Sequence, residues 1–281
     1  MQLREALISA TERLTKAGVD DARKDAELLL MFALGRDRSF LYSHPEHSVT
    51  NEEYAQYDDA LGKRSQGMPP QYITGHQEFW GMDFVVSPAV LIPRPETEHL
   101  VETVLELARP VERPRIVDVG TGSGCIALAL AKELPQAEVH AVDISPAALE
   151  VARSNAARNG VGERVRFQES DLLGAFSTDV ARFDFVVSNP PYVSEADRGS
   201  LQREVRDFEP HLALFAGAAG LDVIDRLLPQ AKAALKPGGW LAMEIGKGQE
   251  ESLRERLAKW NSPRFASDLQ GIPRVAAAQK R

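Results

Sequence analysis

The chain has 281 residues, of which 43% are hydrophobic and 26% charged, and its formal net charge is −8. Its length suits about two domains of ordinary size, and its acidic balance lacks the basic footprint expected where a nucleic-acid backbone is the main partner. No apolar run approaches the ~20 residues that span a bilayer, the opening MQLREALISATERL is charged and amphipathic rather than leader-like, and the single cysteine allows no internal disulfide, so a cytoplasmic protein is expected.

The first elements are helical. LREALISATERLTKAG sets Leu3, Leu7, Ile8 and Leu14 on one face and stops at Gly18. DARKDAELLLMFALG carries acids near its start and Gly35 past its end, as a helix dipole and a C-cap favour. TNEEYAQYDDALGKRSQG begins with Thr50 or Asn51 as cap and has Glu52 and Glu53 in its first turn. Residues 1–70 therefore read as a small helical domain without a catalytic constellation. Between its helices His44 and His47 flank a proline, which suits a solvated loop better than a metal site, and no metal is expected.

Residues 71–95 change texture to Gly, Pro, aromatics and β-branched residues. HQEFW and MDFVV around Gly81 predict a short hairpin inside a structured connector. From 96 to 281 strands and helices alternate. RIVDVG, EVHAVDI, RVRFQES, FDFVVS and WLAMEIG read as strands, with CIALALAKEL, SPAALEVARSNAARNG and LDVIDRLLPQAKAALKPGG as helices among them. A last helix near 249–260 and the strands RFASDLQG and RVAAAQ close the chain. Such alternation predicts an α/β domain with a mostly parallel sheet.

The chemistry concentrates at strand ends. In VDVGTGSG, Gly120, Gly122 and Gly124 separate the first strand of this domain from its first helix, where glycines let the backbone approach a ligand. A tight strand-to-helix turn would use glycines too, and no Walker lysine follows them. Asp143 ends the next strand at the spacing of a ribose-binding carboxylate, although an acid opening the helix at Ser145 and Pro146 fits the same position. Asp171 and Leu172 end the third strand, where they suit an adenine ring or, equally, a helix cap. Cys125, inside GSGCIALALA, reads as a buried, inert thiol. SNPPY then interrupts the strand FDFVVS: Pro190 and Pro191 have no N–H to continue a ladder, and Asn189 offers an amide instead.

In this order DVGTGSG, AVDIS and SNPPY resemble the class I methyltransferases that use S-adenosylmethionine. The NPPY form resembles enzymes that methylate a nitrogen conjugated to a carbonyl or ring, and alone it does not separate adenine from glutamine. PPQYITGHQEFWGMDFVVSPAVLIPRPETE resembles the connector of the peptide chain release factor N5-glutamine methyltransferases; FEPHLALFAGAAGLDV, EIGKGQ and DLQGIPRV resemble later segments of that family. The resemblance covers nearly the whole chain.

It implies a Rossmann-like, mostly parallel seven-stranded sheet, a small N-terminal helical substrate-recognition domain and a hairpin connector. The implied reaction moves a methyl group from S-adenosylmethionine to the glutamine side-chain nitrogen in the Gly-Gly-Gln motif of bacterial class I release factors. N5-methylglutamine and S-adenosylhomocysteine would be the products. Carried onto this chain, Gly120, Thr121, Gly122, Ser123, Gly124, Asp143, Leu172 and Asn189 would line the cofactor, with Asp171 beside them. Asn189, Pro190, Pro191 and Tyr192 would hold the substrate amide, with Asn189 and Pro190 as acceptors and Tyr192 as its packing face. A ribosomal-protein glutamine methyltransferase, a DNA adenine-N6 methyltransferase and a non-catalytic docking protein are the competing readings. His211 reads as structural.

Overall fold

The computed structural model describes residues 1–178 and 181–281. Helices α1 (Leu3–Lys16), α2 (Ala22–Leu34), α3 (Arg38–Ser43), α4 (Asn51–Ser65) and α5 (Pro70–Thr74) lead into a hairpin of β1 (His76–Phe79) and β2 (Met82–Val85). Next come α6 (Glu98–Ala108), β3 (Arg115–Val119), α7 (Cys125–Glu133), β4 (Glu138–Asp143), α8 (Pro146–Arg158), β5 (Val165–Glu169) and β6 (Phe183–Ser188). The chain closes with α9 (Arg203–Phe208), α10 (His211–Leu214), α11 (Asp222–Ala234), β7 (Leu235–Glu244), α12 (Glu250–Arg256), β8 (Asn261–Ser267) and β9 (Pro273–Gln279). No helix among the described residues is long and apolar enough to cross a membrane.

Two units emerge. The first comprises Met1–His76 together with Gln202–Phe208, and the second Gln77–Leu201 with Glu209–Arg281. The first unit packs Leu3, Leu7, Leu14, Leu29, Leu30 and Tyr57 into its core. Ile8 departs from the expected face and is 46% exposed, because the buried stripe runs through Ala6 and Ala10 instead. One position past Leu7 lies ~100° around the helix, outside that stripe. Thr50 caps α4: its hydroxyl accepts the Glu53 N–H, and the Glu53 carboxylate accepts the Thr50 N–H at 2.8 Å. Inside this unit Arg64 donates to Asp25 at 2.6 Å and to Glu204 of α9 at 3.1 Å, so the later segment helps satisfy a buried guanidinium.

The second unit is built on a seven-stranded sheet in the order β5-β4-β3-β6-β7-β9-β8. The pairs from β5 through β7 are parallel, and β9 runs antiparallel to both β7 and β8. Alternation along the strands feeds two cores. Ile116, Phe185, Val187 and Ala242 face α6, α7 and the hairpin residues Phe79 and Phe84. Val117, Val119, Val186 and Met243 face the side covered by α11 and α12. The hairpin is pinned to the sheet domain by Asn155, whose side chain bonds the Val85 N–H and C=O at 2.7 and 3.0 Å.

Two predicted boundaries move. The helix expected to reach Gly239 ends at Ala234, and Leu235 to Gly239 join β7 through an irregular register between Phe183 and Phe185 of β6. Pro237 cannot donate within a helix, and Gly238 takes a positive φ of 79°, so the helix yields there. The strand expected to run through Gly271 ends at Ser267, because the Asp268 carboxylate accepts the N–H groups of Gln270 and Ile272 and folds a turn.

Candidate active site

The strand order reverses between β3 and β6, since β4 and β5 lie on one side and β7 on the other. Ligands of such sheets bind beyond the strand ends at this reversal. The register is specific: Val119 pairs with Ser188, and Ser188 pairs with Met243. The next residue along each strand, Gly120, Asn189 and Glu244, therefore falls at the C-terminal end of the parallel strands. The Ser188 hydroxyl donates to the Val119 carbonyl at 2.7 Å and ties the first two strands at the point of exit.

The glycine loop is held from below. Gly120 and Thr121 both donate N–H to the Val142 carbonyl at 2.9 Å, and Gly122 donates to Asp143 Oδ2 at 2.9 Å. Gly120 and Gly122 have positive φ, and a Cβ at either would meet nothing within 4 Å: the open side of the loop is space for a ligand. Gly124 serves otherwise. A Cβ there would sit 3.2 Å from that of Ala152, so this glycine lets α7 pack against α8.

Asp143 opens the helix at Ser145, one of the two roles the sequence left open, and stands where the other would be served. Its Oδ1 accepts the N–H of Ser145, the N-cap of α8, and it also borders the cleft described below. Burial raises its pKa, while the backbone N–H groups of Ser145 and Gly122 pull it back. Asp118, at the foot of the loop, receives the Thr121 hydroxyl on Oδ2 at 2.6 Å. Its Oδ1 is buried with no hydrogen-bond partner among the described residues, and burial, opposed by the Thr121 hydroxyl and the Ala127 N–H, lifts the carboxyl from 3.8 to about 7. The open cradle of the glycine loop and the Asp143 carboxylate beside it fit an adenosyl ligand.

A cleft of about 280 Å³ collects most of the expected residues: Gly120, Thr121, Gly122, Ser123, Asp143, Asp171, Leu172, Asn189 and Pro191 all line it. Gly124, Pro190 and Tyr192 do not. Asp171 is paired through Oδ2 with Arg226 of α11 at 2.5 Å. Leu172 takes a φ of +51°, in the left-handed region that non-glycine residues rarely enter. Cys125 also lines the cleft, and burial pushes its thiol up to about 12, consistent with an inert thiol.

Several wall residues were not singled out from sequence. Arg94, Thr97, Pro210, Leu212 and Phe215 line the cleft, and Leu212 stands 77% exposed at its rim. The Arg94 guanidinium is held by the buried Glu209 carboxylate, which also accepts the Ile92 N–H. Asn189 Nδ2 donates to Thr97 Oγ1 at 3.2 Å, and Thr97 donates to Glu244 Oε2 at 2.6 Å. Tyr192 donates its hydroxyl to Glu244 Oε1 at 3.2 Å; burial and then Glu244 raise the phenol's pKa. The Tyr192 backbone is clamped as well. Its carbonyl accepts from Gln249 Nε2 at 3.0 Å, and a Cβ on Gly220 would lie 2.2 Å from that oxygen. Gly220 and Gly246, the first glycine of EIGKGQ, were the available sequence signals, since glycine recurs where another chain segment must pass close.

Sheet order, glycine loop and strand-end carboxylate define a class I methyltransferase. Residues 95–206 match the Methyltransferase small domain, and residues 5–75 match the PrmC N-terminal domain. The chain belongs to the release factor glutamine methyltransferases. It is 53% identical over 280 residues to the release factor glutamine methyltransferase of Koribacter versatilis, spanning 100% of this chain and 99% of that one. With its counterpart from Moorella thermoacetica it shares 43% identity over 284 residues, again covering 100% and 99%. Among solved structures, the Thermus thermophilus 16S rRNA N2 G1207 methyltransferase in complex with AdoMet and guanosine shares the fold. That match has a TM-score of 0.53 and 23% identity, covering 73% of this chain and 50% of the other.

Proposed function

We propose that the enzyme methylates the side-chain nitrogen of the Gly-Gly-Gln glutamine in bacterial class I release factors, forming N5-methylglutamine. The observation that carries this reading is the strand register, Val119 to Ser188, which sets Asn189 beside the glycine loop. The relatives' names, all release factor glutamine methyltransferases, support the substrate.

Gly120, Thr121, Gly122, Ser123, Asp143, Asp171 and Leu172 would hold S-adenosylmethionine, with Gly124 shaping the loop. That group supplies an electrophilic methyl on a sulfonium. The chain supplies orientation. A glutamine nitrogen is a poor nucleophile because its lone pair is delocalised into the carbonyl, and its N–H groups can stay on until the methyl has moved. Two acceptors, Asn189 Oδ1 and the Pro190 carbonyl, would take one N–H each and stabilise charge developing on nitrogen. Pro191 fixes the direction of the Pro190 carbonyl, and preorganisation of this kind lowers the barrier. The Tyr192 ring would pack on the amide plane and face the cation. Asn189 thus serves as an orienting acceptor, with no general base required.

The N-terminal helical domain, residues 1–70, would recognise the release factor in the cytoplasm, with residues 71–95 as connector and 96–281 as the methyltransferase domain. Removal of residues 1–65 should abolish methylation of the intact factor while sparing a short Gly-Gly-Gln peptide. The substrate test uses labelled S-adenosylmethionine with a release factor, its Gln-to-Ala variant, a ribosomal-protein mixture and duplex DNA. Label on the factor that vanishes in its variant supports the reading. Label on ribosomal protein or DNA alone overturns it.

A further inference from the structure

Glu244 is a carboxylate with unusual company. It is 2% exposed, whereas acids are seldom so buried unless paired. Its two oxygens receive hydroxyls, Thr97 on Oε2 at 2.6 Å and Tyr192 on Oε1 at 3.2 Å. Charged groups acting on it are Glu96, ahead of α6, and Arg274, on β9. Burial raises its pKa, and the two hydroxyls oppose that rise.

The hydrogens available decide how Asn189 is turned. A threonine hydroxyl has one. With Glu244 ionised both its oxygens are acceptors, so Thr97 spends its hydrogen there and toward Asn189 its oxygen accepts. Asn189 must then present its N–H₂ to Thr97, as the 3.2 Å contact has it, and its Oδ1 is turned the other way. Left to itself an asparagine amide is close to symmetric in shape, and the flipped form would set its own N–H₂ against the N–H₂ of a substrate.

We propose that Glu244 is a positioning residue for methyl transfer: through Thr97 it fixes the Asn189 amide with Oδ1 as acceptor, and through Tyr192 it fixes the other end of the Asn-Pro-Pro-Tyr segment. The inference rests on the glutamine-methylating reading above. It names a role for a strand-end acid that the reaction does not itself consume. A glutamine at 244 has one acceptor and one donor end, so Glu244→Gln necessarily reverses one of the two hydroxyls.

The test compares Thr97→Val, Thr97→Ser and Glu244→Gln with the wild type. Steady-state kinetics on a release factor, cofactor affinity by calorimetry and hydrogen exchange of the Asn189 side-chain amide by ¹⁵N NMR are read together. Thr97→Val and Glu244→Gln should lower kcat by roughly 10- to 100-fold, the scale of a misplaced orienting group, with KM and cofactor affinity little changed. Thr97→Ser should restore kcat, and Asn189 exchange should quicken in Thr97→Val but not in Thr97→Ser. Wild-type kcat in Thr97→Val, failure of serine to rescue, parallel loss of cofactor affinity or unchanged Asn189 exchange would each overturn the proposal. A wild-type enzyme that leaves the release factor unlabelled would overturn the parent reading instead, and the exchange comparison would then decide the role of Glu244.

Discussion

Ser188 donates its hydroxyl to the Val119 carbonyl at 2.7 Å, inside the sheet and at the last paired rung before the glycine loop and the Asn189 segment begin. Ser188→Ala should cost about 1 kcal/mol of stability, the net worth of a buried hydrogen bond. It should also loosen the spacing between Gly120 and Asn189. Chemical denaturation would measure the first effect, and a fall in kcat larger than the change in KM would show the second.

Asn189 and Asp143 border the same cleft but should separate in function. Asn189→Ala should lower turnover on the order of 10²-fold, as loss of a transition-state hydrogen bond does, while cofactor affinity holds. Asp143→Ala should chiefly weaken the cofactor. Calorimetry beside kinetics checks both, and a variant losing both properties together would contradict the division.

Gly220→Ala should damage the site from outside it. The residue has a φ of +70°, and the added methyl would meet the Tyr192 carbonyl at 2.2 Å. The expected outcome is a soluble protein of reduced melting temperature and impaired turnover, read by calorimetry and by the methylation assay.

Asp118 predicts a pH dependence with a definite sign. Its carboxyl is raised from 3.8 to about 7 in the folded chain, so the folded state holds a proton that the unfolded state has released. The associated stability is fully present below about pH 4 and is lost as the pH rises through about 7. Asp118→Asn, lacking the charge, should therefore melt higher than the ligand-free wild type at pH 8 and lose that advantage near pH 4. Thermal unfolding at the two pH values decides it.

Arg64 should matter to the first unit alone. Its guanidinium is buried against Asp25 at 2.6 Å, and removal of one member of such a pair costs about 3–5 kcal/mol because a buried charge is left alone. Arg64→Ala should unfold the first unit early in a thermal scan, visible as a separate transition below that of the sheet domain.

The alternation of strand and helix was legible because apolar periodicity and glycine breaks are local signals. The same holds for Thr50, Gly35 and Gly160, whose cap geometry the structure contains. Gly120, Asp143 and Asn189 were legible because each falls at the end of a readable strand. Thr97 and Glu244 were not, because 147 positions separate them and only the register of β6 with β7 brings Glu244 beside Asn189. Ile8 misled for a simpler reason: Ala6 and Ala10, small and easily overlooked, complete the buried stripe it was assigned to.

The divided first unit is completed in two stages as the protein is made. Glu204 lies 140 positions beyond Arg64, the residue it helps to neutralise. At a ribosomal pace of ~5–20 residues per second, roughly 7–28 s pass between synthesis of the two. During that interval the nascent helices hold Arg64 with Asp25 but without α9, while most of the sheet domain is still being translated. The first unit to emerge is therefore completed late, by a segment that waits for β3 to β6 to be threaded out of the ribosome.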